Sequence, residues 1–187
     1  MLFNSTHSNL AGTHAFLSAS NYHWINYDED KLDRMFVASM AAKRGTELHA
    51  FAHDAIRLGI RLPQRNLTMN MYVNDAIGYK MVTEQVLFYS ANCYGTADAI
   101  GFRQNRLRIH DLKTGVTEAS VHQLEVYAAL FCLEYRYKPT DIQMELRIYQ
   151  NNEARIYDGD PDVITHIMDR IITFDKRITA IRLEAAS

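Results

Sequence analysis

The run Asp98-Ala99-Ile100-Gly101-Phe102-Arg103-Gln104-Asn105-Arg106-Leu107-Arg108-Ile109-His110-Asp111-Leu112-Lys113 carries an aspartate near each end and Gln104-Asn105 at its middle. A two-residue hairpin turn requires positive φ, which Asn tolerates, so Gln104 and Asn105 are expected to form the turn. The register follows: Arg103 pairs with Arg106, Phe102 with Leu107, Ile100 with Ile109 and Asp98 with Asp111. Side chains alternate across a strand, so the last three pairs share one side of the sheet. Two opposed carboxylates at the edge of a core repel each other, and a divalent cation between them resolves the conflict. Lys113 lies on the same face, about 7 Å beyond Asp111 by strand rise. Carboxylate and water oxygens suit Mg²⁺ or Mn²⁺. Such a metal polarises a phosphate and acidifies a water, and an ammonium beside it stabilises the charge that builds up, so the set is complete for phosphodiester hydrolysis. An Asp-x-Lys on a solvated strand would be only a surface ion pair worth under about 1 kcal/mol. That reading requires a polar face, whereas this one continues through Ile109 and Leu107.

On either side of the hairpin the pattern is helical, then β, then mixed. Ser18 to Trp24 reads as a short helix, and Asp28 to Ala42 as a longer one with acidic residues in its first turn. Gly45 is expected to break the chain there. From Thr46 the residues Leu48, Phe51, Ala52, Ala55 and Ile56 recur at helical spacing until Gly59, with His49 and His53 on one stripe and Glu47 pointing nearly the opposite way. Met71 to Lys80 reads as a further helix. Val82 to Tyr89, Cys93 to Phe102 and Arg106 to Leu112 form a meander. Ser120 and Gln123 have the spacing of a capping box before a helix from Val121 to Tyr135. Strands Gln143 to Tyr149 and Ala154 to Tyr157 flank a turn at Asn151-Asn152, and Asp160 and Pro161 start a final helix. This order indicates an α/β fold, a central mixed sheet of about five strands flanked by helices.

The 187 residues, 48% hydrophobic and 22% charged, suit a single domain, residues 1–187, without linkers or repeats. No apolar run is long enough to span a bilayer and the N-terminus lacks a leader pattern, so a cytoplasmic location is expected, that of the host if the protein is viral. Cys93 and Cys132 are too few for a cysteine-ligated cluster. The net charge of -2 leaves any phosphate-binding surface local. Lys43 with Arg44, then Arg57, Arg61 and Arg65, then Arg103, Arg106 and Arg108 are the candidates, though each cluster alone reads as solvated surface.

Three segments in order, Gly95-Thr96-Ala97-Asp98-Ala99-Ile100, Asp111-Leu112-Lys113-Thr114-Gly115 and Gln123-Leu124-Glu125-Val126-Tyr127, resemble the successive motifs of the RecB-like PD-(D/E)XK nucleases, which include the Cas4 and AddB nuclease domains. Upstream, Gly45-Thr46-Glu47-Leu48-His49 resembles that family's first motif, and Leu17-Ser18-Ala19-Ser20 its Ser-rich helix start. The likeness spans about Leu17 to Tyr135. It implies a restriction-endonuclease-like core, metal ligation by His49, Asp98 and Asp111, and catalysis by Lys113 with those aspartates. It further implies that Gln123, Tyr127, Ser18 and Ser20, with Arg44 beside the first motif, contact DNA or position the site. Glu47 is a rival ligand to His49, and His53 has no assigned role. The cysteines that hold an iron–sulfur cluster in some relatives are absent, so none is expected. No phosphate-binding helicase loop accompanies the motifs.

The expected activity is a Mg²⁺- or Mn²⁺-dependent DNA exonuclease of phage type, acting on single strands or duplex ends in recombination, repair or end processing. The resemblance admits a single-strand-binding or annealing protein as partner, and a homo-oligomer; it implies no membrane. The alternatives are a non-catalytic nucleic-acid-binding module and a structure- or site-specific endonuclease.

Overall fold

The computed structural model describes residues 6–185, which divide between Thr46 and Glu47 into two compact units. In the first, short 3₁₀ turns at Ser8–Leu10 and Tyr22–Asn26 precede helix α1, Glu29–Leu58, which runs on into the second unit. Asp28 caps α1: its Oδ1 accepts the Lys31 N–H at 2.7 Å. Phe16 packs edge-on against Phe36. The short helix expected over Ser18 to Trp24 is reduced and shifted to the 3₁₀ turn Tyr22–Asn26. Ser18 Oγ accepts the Asn21 N–H and Ser18 O accepts the Trp24 indole N–H, so local side-chain bonds compete successfully with helix nucleation. The break expected at Gly45 is absent, because one helical glycine costs only about 1 kcal/mol against Ala and good helix formers flank it.

The second unit holds α2 (Thr68–Gly78), β1 (Val82–Ser90), β2 (Cys93–Arg103), β3 (Arg106–Leu112), α3 (His122–Tyr135), β4 (Gln143–Gln150), β5 (Glu153–Asp158) and α4 (Pro161–Ala185). The strands form one mixed sheet in sequential order, with β3 and β4 parallel and the other neighbours antiparallel. The α/β class and the five strands therefore match the expectation. A parallel neighbour cannot be joined by a tight turn, and α3 supplies the crossover from β3 to β4.

Each face of the sheet has its own core. On one, Leu107, Ile109, Leu146 and Ile148 pack with Leu124, Ala128 and Phe131 of α3 and Ile164 and Ile171 of α4. On the other, Ala99, Leu112 and Tyr149 pack with Ala52, Ala55 and Ile56 of α1 and Tyr72, Val73 and Ala76 of α2. At the start of α4, Asp160 accepts the Asp162 N–H at 2.9 Å, as its N-cap role requires. Among the described residues no helix is long and apolar enough to cross a membrane.

Candidate active site

Gln104 and Asn105 form the turn with φ of 50° and 59°, the doubly positive geometry of a type I′ hairpin. The ladder between β2 and β3 follows the expected register from Arg103–Arg106 through Phe102–Leu107 and Ile100–Ile109. It stops at Ala99–His110, one step before the expected pairing of Asp98 with Asp111. Beyond that point β2 pairs only with β1 and β3 only with β4, and the two strands fork. The Asp98 carboxylate takes up the bond the ladder would have made: its Oδ2 accepts the Leu112 N–H at 2.9 Å. Strict alternation also fails here, because Ala97 packs in the core under α3 while Ala99 packs in the core under α2. Two carboxylates placed squarely opposite would repel, and the fork avoids that arrangement while keeping both acids at its mouth.

Three segments meet at the fork. His49, from the second half of α1, has its Nδ1 3.5 Å from Asp98 Oδ2. Glu84, from β1, completes a set with these two, since one ligand atom from each of His49, Glu84 and Asp98 lies within 4.8 Å of the others. Glu84 sits across from Asp98, bracketed by the pairs Thr83–Ala99 and Gln85–Ala97, and its φ of 53° takes it out of the ladder. Asp111 is buried beside them, with Oδ2 3.0 Å from Lys113 Nζ. That oxygen nevertheless lacks a well-aligned hydrogen bond.

Lys113 is held from both sides. Its backbone N–H donates to Tyr149 O at 2.9 Å, and its ammonium donates to Gln123 Oε1 at 2.8 Å. Gln123 Nε2 in turn donates to the Tyr127 hydroxyl at 3.0 Å. The expected capping box forms only in part: Ser120 Oγ accepts the His122 N–H at 3.3 Å at the start of α3, while the Gln123 amide is turned to Lys113 and makes no reciprocal bond. Tyr127 lies against Gly95, where an added Cβ would stand 2.9 Å from the ring.

The electrostatics at the fork are those of too much negative charge in too little water. Burial raises the Asp98 carboxyl to about 6 and the neighbouring Asp111 charge adds to the rise, against the opposing pull of the Leu112 N–H, His49 and Lys113. Burial also raises Asp111, and Lys113 opposes it most. The fork thus brings together a buried carboxylate oxygen without a well-aligned donor, two acids held above their ordinary range and a His-Glu-Asp set whose ligand atoms could hold a cation.

No protein-family model, characterised protein or solved structure matches this chain. The geometry alone bears on function, and it sorts the residues read from the sequence. His49, Asp98, Asp111, Lys113, Gln123 and Tyr127 come together. Ser18, Ser20 and Arg44 belong to the N-terminal unit, where Ser18 and Ser20 are spent on the turn before Tyr22–Asn26, their hydroxyls 3.3 Å apart. Glu47 is exposed and outside the gathered set, and His53 Nδ1 is bonded to the Thr83 hydroxyl at 2.7 Å. Of the hairpin arginines, Arg106 and Arg108 are engaged by Glu145, which leaves little for a phosphate. Cys93 and Cys132 are free thiols. Glu84 is the site residue the sequence reading missed. Its signal was an acidic residue, disfavoured in strands, at the meander position that faces Asp98.

Proposed function

We propose that the protein is a divalent-metal-dependent phosphodiester hydrolase that acts on DNA, an exonuclease of single strands or duplex ends. The observation that carries this reading is the convergence of His49, Glu84, Asp98 and Asp111 beside a held lysine at one strand fork. His49, Glu84 and Asp98 would hold the cation. Two carboxylates and one imidazole suit Mn²⁺ or Mg²⁺ better than a soft metal. Held there, a divalent cation would polarise a phosphate oxygen and acidify a water. Asp111 keeps the Lys113 ammonium at the fork, and Lys113 neutralises negative charge as it builds up on the phosphate. Gln123 and Tyr127 fix the lysine rotamer, so that no reorganisation is needed during reaction.

The decisive experiment incubates labelled linear and circular DNA, single- and double-stranded, with Mg²⁺, Mn²⁺ or EDTA. Loss of linear forms alone, only with metal, supports the exonuclease; nicked circles would indicate an endonuclease, and intact DNA in every metal would indicate a binding module. Lys113→Ala is expected to slow cleavage by about 10²–10³-fold, the usual cost of removing one charge-stabilising group, with DNA affinity nearly unchanged. Undiminished cleavage would remove Lys113 from the mechanism.

A further inference from the structure

Beside Lys113 the surface opens into a cavity of about 230 Å³. Leu48, Met69 and Leu112 give it apolar walls, and Thr68, Thr114 and Asn151 give it polar ones. Lys113 is common to the cavity and the fork, and two other lining residues, Leu48 and Leu112, are sequence neighbours of His49 and Asp111.

The walls are fixed before any ligand arrives. Thr68 and Asn152 are locked reciprocally, the Thr68 N–H donating to Asn152 Oδ1 at 3.1 Å and the Asn152 N–H donating to Thr68 Oγ1 at 2.8 Å. The buried Gln150 amide donates to Gly115 O and Thr117 O, each at 2.7 Å, and so pins the loop that follows Lys113 to the end of β4. A cavity set by side-chain bonds to backbone from three separate segments needs little reordering on binding.

Size and lining select the occupant. Pockets that enclose a whole small-molecule ligand run to about 300–1,000 Å³, so this one takes a smaller group. Apolar walls with a few hydroxyl and amide groups at their edges suit a planar heterocycle with polar edges. In a duplex such a ring is stacked and paired, and enters a pocket only when freed from the helix. Resting on the hydrolase reading above, we infer that this cavity receives one unstacked nucleobase of the strand whose phosphate lies at Lys113, which restricts the enzyme to single strands and frayed ends.

The test uses the wild-type chain, Mn²⁺ and single-stranded oligonucleotides carrying one abasic residue at successive positions, with products mapped bond by bond. Cleavage is expected to fall at least tenfold at a bond adjoining the abasic residue relative to the same bond in the intact strand. Equal rates at every bond would overturn the inference while leaving the hydrolase standing. If neither metal supports any cleavage, the hydrolase reading fails and the cavity is tested by binding alone. A single-stranded oligonucleotide with one 2-aminopurine, titrated in EDTA, is then expected to change fluorescence with the wild type and not with Thr114→Trp, an exposed wall residue now filling the space. No change with the wild type, or the same change with both proteins, would overturn the inference.

Discussion

Glu84 adds a backbone cost to the site's electrostatic one. A non-glycine residue at φ of 53° is strained by about 1–3 kcal/mol, and here it also brings a third acid toward two buried ones. Asn tolerates positive φ and carries no charge. Glu84→Asn is therefore expected to keep or raise the melting temperature in EDTA while abolishing the rise that Mn²⁺ gives the wild type. A variant that still gains the full Mn²⁺ shift would exclude Glu84 as a ligand. Asp98 sets the pH dependence of the same shift. Its folded-state value, raised to about 6, exceeds the ordinary 3.8, so ionising it destabilises the folded chain progressively between about pH 4 and 6 and fully above that range. A cation offsets this cost only where the carboxylate is charged. The Mn²⁺-induced shift in melting temperature should thus be large at pH 7.5 and small at pH 5, as thermal unfolding with and without EDTA can read out; an equal shift at both would mean that Asp98 is not involved.

The hairpin shows how far local rules reach. Turn chemistry set the register, and every pair from the turn to Ile100–Ile109 obeys it. The register then ends where cross-strand charge repulsion outweighs a ladder bond, and the sequence pattern has no term for that competition. The same holds for α3, where the spacing of Ser120 and Gln123 was that of a cap, yet a lysine ammonium in a poorly solvated fork is the stronger claimant on the Gln123 amide. The N-terminal helices depart from the pattern for the opposite reason: a single glycine at Gly45 and a single serine at Ser18 are weak signals, outweighed by the helix formers around the one and the local bonds of the other. Gly95 is the point at which β2 and α3 depend on each other. Its missing Cβ leaves room for the Tyr127 ring, which an alanine methyl would meet at 2.9 Å. Gly95→Ala is expected to displace Tyr127, loosen the Gln123–Lys113 chain and lower the rate of cleavage about tenfold or more with little change in metal affinity. If activity is retained, Tyr127 does not position the lysine.

Across the chain as a whole, the class, the five strands and most of the gathered residues were legible because periodicity, turn residues and caps are local properties. Glu84 and the fork were not, since both depend on three segments meeting. A second consequence of that assembly lies in the core that α1 and α2 cover. His110 is fully buried beneath α2, its Nδ1 3.3 Å from the Tyr149 hydroxyl and its Nε2 without a partner. Tyr149 donates to Asp75 at 2.7 Å, and Arg147 bonds Asp75, Glu145 and the Tyr79 hydroxyl, so the imidazole sits in a network already supplied with positive charge. Burial, with Arg147 and Arg108 nearby, lowers its pKa to about 3. The unfolded chain takes up this proton below about pH 6.5 and the folded chain does not, so stability falls on acidification from pH 6.5 toward 3, by at most about 1.4 kcal/mol per pH unit. Asp98 acts in the opposite direction over pH 4 to 6, so in EDTA the two partly cancel and the wild type should show a shallow profile there. Replacing His110 with Gln removes only the histidine contribution. Urea denaturation in EDTA is therefore expected to find His110→Gln less stable than the wild type at pH 7.5 by more than it is at pH 4.5, where the wild type has lost the advantage of a neutral imidazole. A difference independent of pH would show that His110 titrates alike in the folded and unfolded chains.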